Sequence, residues 1–480
     1  MASLAIGDAI TTISLVLLSV VLARTLTSDD MAIWRQSLLI AQFAVTIAEL
    51  GLGAATLRFA GAIDPERRQL LLRHIGIAAI TAACLGTVCV LAAVLFLWFV
   101  DCNHVLAVNV ALMIPSVVGS ILFSVARANM LTNQKALQAT LVDMLFAVGG
   151  SSALVLAAWA GARLEISIAA WSGVSFLRLI VFAVGFHQQK STLRGGLDGS
   201  IMQELWHYCL PLQLSKVPAV GMGYLDKILS ARILSNADFS AYSLNARELP
   251  LISGLPYSMG AALTPRLVQL IELGDMTTVR QIWHKACLSC ALVAYPIAAF
   301  AIVNSKSIVR VLYTERYSSG WLPFACFASI AFVRVVDYGN LPRAFSKNKQ
   351  TLRVALVAFS LSAPITIIMT TLSGVWGVSF SVLISTLIVA VGQMHVGAQL
   401  IRCSVWQLLP LRILLHYACA AFASVLAANK LVNTLLSGTR VVTGGADLTY
   451  LTASFAVSSS VYALCIVVMR KCKCAITGPA

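Results

Sequence analysis

The sequence predicts an all-α, polytopic membrane protein of about fourteen transmembrane helices. Three observations lead there. Only 11% of the residues are charged and 59% are hydrophobic, with a mean hydropathy of +0.87, whereas a soluble chain carries about a quarter charged residues. Apolar runs of about 20 residues, each long enough to cross the hydrocarbon core, recur along the whole length; the short alternating strands of a membrane barrel do not occur. The chain also repeats itself. ARTLTSDD at 23–30 returns as ARILSNAD at 231–238, matching Ala23, Arg24, Leu26 and Asp30 with Ala231, Arg232, Leu234 and Asp238 at an offset of 208. The same offset lays Thr56 and Arg58 over Thr264 and Arg266, and NQKALQATLV at 133–142 resembles NKQTLRVALV at 348–357 at a slightly larger one.

The first apolar run, 4–23, is read as a helix and not a leader, because no basic segment precedes it and its apolar core is too long. Spans at 36–58, 75–99, 106–126, 137–160 and 165–186 complete a first set of six. The longest polar stretch, Gln188 to Glu204 with Arg194-Gly195-Gly196-Leu197-Asp198-Gly199, reads as a flexible linker. A second six follows at 206–230, 239–263, 283–303, 320–341, 353–373 and 375–397, and two more spans lie at 409–429 and 449–469. Prolines 115, 211, 218, 250, 256, 296 and 364 fall inside spans, where membrane helices tolerate them, and mark expected kinks. The expected division is 1–190, 191–400 and 401–480. Two halves with even helix counts share one orientation, so an axis along the membrane normal relates them, a plan common among secondary transporters.

Lys and Arg in the flanking loops set orientation. One set of loops carries twenty and the other nine, so the richer side is expected to be cytoplasmic, with both termini on it. The net charge of +15 therefore mostly reports topology. No basic stripe with interleaved aromatics supports nucleic-acid binding. The twelve cysteines lie mostly in apolar runs and are read as small packing residues, not metal or redox ligands. Trp34, Trp98, Trp159, Trp321 and Trp406 are expected as interface anchors. Gly51-Leu52-Gly53 is no phosphate loop, since no Gly-Lys-Ser/Thr follows. No cofactor, metal or catalytic residue is expected.

The repeat, the spans and a set of local cues together resemble the bacterial polysaccharide flippase branch of the multidrug/oligosaccharidyl-lipid/polysaccharide exporter superfamily. The cues are Ala23-Arg24-x-Leu26 with Asp29 and Asp30, then Gly51-Leu52-Gly53-x-Ala55-x-x-Arg58, then Pro211-Leu212 followed by Asp226 and Tyr242. One turn departs: the family's Leu-Gly-Pro-Glu-x-Tyr-Gly is Leu26-Thr27-Ser28-Asp29-Asp30-Met31-Ala32 in this chain. The resemblance implies two six-helix lobes in a V-shaped arrangement, opening alternately to each side of the bacterial inner membrane. It implies transport, not catalysis. The cargo would be an undecaprenyl-pyrophosphate-linked oligosaccharide, moved to the external leaflet for assembly of O-antigen, capsule or exopolysaccharide. Membrane lipids are the expected surroundings. A polysaccharide polymerase and assembly proteins are the implied partners, and H+ or Na+ the implied counter-ion.

A charge at the bilayer centre costs about 2.5–3.5 kcal/mol on insertion scales, so such groups face a cavity or a partner. The basic candidates for meeting pyrophosphate or acidic sugars are Arg178, Lys216, Lys227, Arg247 and Arg334. Lys216 and Lys227 are eleven residues apart, about three helical turns, and share a face; the alternative for Lys227 is snorkelling beside Asp226. Arg334 and Asp337, three apart, are expected to pair on one helix. Asp8, Glu49, Asp143 and Asp337 are the ion-coupling candidates, because desolvation raises a buried carboxyl's pKa; Asp8 also suits a helix N-terminus, and Glu49 could pair with Arg58 or Arg67. Two other readings remain open. A multidrug/cation antiporter of the same superfamily shares the two halves but usually stops at twelve spans. A membrane polymerase of lipid-linked sugars would need a sizeable external loop, and none is predicted.

Overall fold

A computed structural model describes residues 2–59, 65–133, 135–187, 199–345, 347–436 and 445–476. All regular structure among them is helical. Packing divides the chain into two units, Met1–Ala231 and Arg232–Ala480.

The first unit holds α1 (Ala2–Thr25), α2 (Ser28–Ala48), α3 (Leu52–Phe59), α4 (Pro65–Phe99), α5 (His104–Ala111), α6 (Ile114–Thr132), α7 (Ala136–Trp159), α8 (Leu164–Phe176), α9 (Arg178–His187) and nearly all of α10 (Gly199–Ile233). The sequence repeat instead groups α10 with the second half. In the structure Gln213 of α10 donates to the Thr46 carbonyl of α2 at 2.6 Å, and Tyr224 meets Phe43 edge-on at 5.5 Å. The second unit holds α11 (Asn236–Asn245), α12 (Pro250–Glu272), α13 (Met276–Val303), α14 (Ser305–Tyr313), a 3-10 turn (Glu315–Gly320), α15 (Trp321–Val333), α16 (Asn340–Ala344), α17 (Asn348–Ile401), α18 (Val405–Leu408), α19 (Leu411–Leu436) and α20 (Gly445–Ile476).

Among the described residues, nine helices or joined helix pairs are long and apolar enough to cross a membrane. One of them, α17, is two arms. Gly374 breaks it with φ 54° and ψ −129°, a conformation open to glycine. A Cβ on Gly377 would overlap the Met369 carbonyl, and one on Gly392 would lie 2.6 Å from Val354. In a continuous helix residues eight apart are about 12 Å apart, so the chain doubles back into an antiparallel hairpin. The arms coincide with the spans expected at 353–373 and 375–397. The spans expected at 4–23, 206–230, 239–263 and 320–341 fall on α1, α10, α11–α12 and the 3-10 turn with α15–α16.

Large apolar side chains stand exposed in stripes, as lipid-facing helices require. Leu137, Leu141, Leu145, Leu156 and Trp159 do so on α7, and Leu415 and Leu426 on α19. The core of the second unit gathers Trp283, Cys287, Ala291 and Ala298 of α13 against Tyr417 and Ala421 of α19 and Tyr462 of α20. Trp98, Trp159 and Trp406 are exposed, but Trp34 is buried and meets Trp171 edge-on at 5.4 Å. It packs the first unit and is not an interface anchor. Of the prolines expected to kink helices, Pro115 and Pro250 instead start α6 and α12, where the missing N–H costs nothing.

The repeat survives as local geometry. Thr27 and Ser235, 208 apart, cap α2 and α11 identically: each hydroxyl accepts from the amide of Asp30 or Asp238 (3.1 and 3.2 Å) and donates to its carboxylate (2.7 and 2.8 Å). Thr56 and Thr264 each reach the carbonyl four residues back, of Leu52 and Gly260, at 2.8 Å. Left-handed turn residues recur too, Cys102 with Thr314 and Gly161 with Gly374, at offsets of 212 and 213. The second sequence echo is out of register with these. The N-caps of α7 and α17, Lys135 and Lys347, share dihedrals but are 212 apart, not the 215 that matched Asn133 to Asn348. Outside the spans, Asp275 caps α13; hydrogen bonds from Thr277 and Thr278 hold its carboxyl down from 3.8 to about 2.

Candidate functional site

In the first unit, helical spacing assembles a basic–aromatic cluster. Ser120, Phe123 and Arg127 follow one face of α6, and Asp143 and Phe146 one face of α7. Arg178 opens α9 after a one-residue interruption at Leu177. Gly119 permits this, since a Cβ there would strike the Ser175 carbonyl at the end of α8. The guanidinium of Arg178 lies 5.6 Å from both the Phe123 and Phe146 ring centroids, within cation–π range. Its Nη1 donates to Ser120 Oγ at 3.0 Å, and its Nε is buried with no hydrogen-bond partner among the described residues. Beside it Arg127 Nε holds Asp143 Oδ2 at 2.5 Å. Among the described residues, the two cations Arg178 and Arg127 outnumber the one anion Asp143 in this cluster.

Sequence reasoning missed Arg127. A basic residue near the end of an apolar run reads as loop flank, yet α6 continues to Thr132. Arg35 was assigned to a loop for the same reason. It lies within α2, 6% exposed, donating to Ser19 Oγ of α1 at 3.0 Å.

In the second unit two helices are interrupted. Between α11 and α12 the chain leaves helical geometry at Ala246 (φ −77°, ψ 62°), and between α15 and α16 at Arg334 (φ −97°, ψ 62°). The first interruption carries Arg247 and Glu248, the second Arg334 and Asp337. The expected Arg334–Asp337 pair does not form, because these residues do not share a helix. Arg334 Nη1 meets both Glu248 oxygens, at 2.7 and 3.0 Å, and Asp337 pairs with Arg343. Arg247 forms no ion pair among the described residues. Asn340, at the start of α16, ties that helix to the middle of α12. Its Nδ2 donates to the Gly260 carbonyl of α12 at 3.0 Å, and its Oδ1 lies 2.8 Å from Thr264 Oγ1. Backbone freed by such interruptions is tolerated at membrane depth where it lines a cavity or is buried in protein. A pocket lies between α12 and α15, with Glu248 and Arg334 at one end and Ile252, Pro256, Phe327 and Ile330 as apolar walls.

The remaining candidates fall elsewhere. Lys227 Nζ contacts Asp226 at 3.3 Å and donates to the Gly223 carbonyl at 3.1 Å, the local pairing that was its alternative reading. Lys216 lies on α10 and Asp8 on α1, but the side chains of both are outside the described residues, as are those of Arg58 and Arg67. Glu49 follows α2 at another interruption, where Leu50 (φ 51°) and Gly51 (φ 70°) turn the chain into α3. It forms no ion pair among the described residues. Hydropathy did not reveal that interruption, since Leu50-Gly51-Leu52 reads as continuous apolar sequence.

Residues 21–321 match a family described as polysaccharide biosynthesis protein. No curated protein sequence matches the chain. Among solved structures, the lipid II flippase MurJ in an inward closed conformation superposes with a TM-score of 0.70 at 12% identity, covering 98% of this chain and 99% of that one. An inward-facing multidrug resistance MATE family transporter of the MOP superfamily gives 0.62 at 12% identity, covering 83% and 95%. A MATE in complex with MaD5 gives 0.55 at 15%, covering 84% and 94%. At these identities the likeness is one of fold. With charged, interrupted helices buried in a multi-pass membrane architecture and the family match spanning most of its length, the chain belongs to the polysaccharide biosynthesis protein family and has the fold shared by the lipid II flippase and the MATE transporters.

Proposed function

We propose that the protein is a flippase. Its cargo is an undecaprenyl-pyrophosphate-linked oligosaccharide repeat unit, moved from the cytoplasmic to the external leaflet of a bacterial inner membrane by alternating access of two helical halves. The fourteen-span topology with both termini cytoplasmic belongs to this reading. The observation that carries it is the match of 21–321 to polysaccharide biosynthesis proteins. The chemistry agrees: Arg178, Arg247 and Arg334 put permanent positive charge inside the helical units, where a pyrophosphate must be met in transit. Lys216 and Lys227 remain candidates along α10. Coupling to H+ or Na+ falls to Glu49 or Asp8 before Asp143 and Asp337, which are held by arginines. A polymerase and assembly proteins would receive the product.

The antiporter reading rests on the MATE-like fold. Against it, MATE structures cover 83–84% of this chain and the flippase structure covers 98%. Purified protein in liposomes decides between them. The flippase moves an added undecaprenyl-pyrophosphate saccharide from one leaflet to the other, read by accessibility to a membrane-impermeant reagent. Drug–cation exchange without lipid movement would establish the antiporter.

A further inference from the structure

The Arg334–Glu248 contact is built in a way that leaves the arginine half available. A carboxylate that satisfies a guanidinium fully takes two parallel hydrogen bonds from two nitrogens. Glu248 instead sits with both oxygens on Nη1. Among the described residues Nε and Nη2 of Arg334 make no hydrogen bond. Both side chains are about 30% exposed, so the pair is open on one side. Each belongs to a helix interruption and not to a helix interior, so neither is held by a continuous backbone ladder. Arg247, next to Glu248, is a second cation, with no carboxylate paired to it among the described residues. Immediately beyond the pair lies the apolar pocket walled by Ile252, Pro256, Phe327 and Ile330.

An ionic rim beside apolar side chains suits an amphiphilic anion, such as a phosphate ester on a hydrocarbon chain. We propose that Glu248 is a built-in counter-anion that occupies Arg334 until such a lipid arrives. The phosphate displaces Glu248 and takes Arg334 bidentately, and the first isoprenoid or acyl carbons lie against the apolar side chains Ile252, Pro256, Phe327 and Ile330 beside it. No bond is made or broken. Glu248 offsets the charge of Arg334 when the site is empty and competes with the phosphate when it is full, which lets cargo leave. This deepens the flippase reading and rests on it for the identity of the lipid. The chemistry itself has two sources, the polyprenyl-pyrophosphate cargo and an anionic membrane lipid.

The test is binding of undecaprenyl pyrophosphate and, separately, of phosphatidylglycerol to the purified full-length protein. It compares wild type, Glu248→Gln, Arg334→Gln and the double variant. Removing the competing charge tightens binding about tenfold in Glu248→Gln, the size of one charge-assisted hydrogen bond. Arg334→Gln weakens binding by a similar factor, and the gain from Glu248→Gln disappears in the double variant. Glu248→Asp, which keeps the charge but shortens its reach, tightens binding in the same direction and serves if Glu248→Gln does not fold. Unchanged or weaker binding in the Glu248 variants overturns the proposal, as does a gain that persists without Arg334. The two readings separate cleanly. Wild type that binds undecaprenyl pyrophosphate with no gain in the variants refutes the counter-anion and leaves the flippase intact. A gain seen for phosphatidylglycerol alone supports the counter-anion and removes the pyrophosphate cargo from this site.

Discussion

Arg178→Ala lowers export of the finished polysaccharide by about 10- to 100-fold, the loss of one hydrogen bond to a charged phosphate, while the protein still accumulates in the membrane. The structure explains why the effect falls on transport and not on folding. Asp143 keeps its contact with Arg127 when Arg178 is removed, so truncation does not leave that carboxylate bare. Ser120 loses one donor, and a helical serine hydroxyl can turn to a carbonyl one turn back. What disappears is the guanidinium held near Phe123 and Phe146, whose buried Nε has no hydrogen-bond partner among the described residues. Arg178→Lys restores the charge but neither the planar stacking nor the second donor nitrogen, and recovers export only in part. Quantifying surface polymer against membrane protein in the same cells makes the measurement. Full export from Arg178→Ala removes this residue from the path.

Gly377→Ala has the largest expected effect on stability. Its Cβ would coincide with backbone, the Met369 carbonyl and the Thr370 amide, and backbone cannot rotate away as a side chain can. The arms of α17 would separate at the turn, losing the close packing that continues to Gly392 and Val354. The cost is about 3 kcal/mol or more, the upper range for overpacking. Thermal unfolding of purified protein shows it as a lower midpoint or failure to accumulate. Gly173→Ala is the control, since nothing lies within 4 Å of its added Cβ, and its midpoint stays near wild type. Equal midpoints for the two variants would mean that the arms do not turn back at Gly374.

The membrane class and the internal repeat were legible because both are written in local, repeated signals. Thr27 and Ser235 announce helix starts by their caps, and a constant offset of 208 finds them without any tertiary information. The drift to 212 and 213 was legible only in part. Cys102 and Thr314 correspond in the repeat only by their positive φ, which no residue identity betrays. Helix interruptions were the main loss. Hydropathy averages over a window wider than Ala246–Leu249 or Leu50–Gly51, so each broken helix reads as a single span. That error propagated to the site: Arg334 and Asp337 are helical neighbours only if the helix continues, and it stops at Arg334. Arg35 and Arg127 were lost to the opposite habit, in which a charge near the end of a span is taken to lie outside it. The sequence therefore named Arg178, Arg247 and Arg334 as candidates without the groups they meet, Ser120, Phe123 and Phe146 around Arg178 and Glu248 at Arg334.

The most direct measurement is leaflet assignment in the native host. The gene is deleted, lipid-linked oligosaccharides are extracted, and their accessibility to an impermeant reagent is compared with wild type. The flippase account predicts complete repeat units held on the cytoplasmic leaflet, loss of surface polysaccharide, and rescue by the wild-type chain. Repeat units that still reach the external leaflet and remain unpolymerised would contradict it and point to a polymerase.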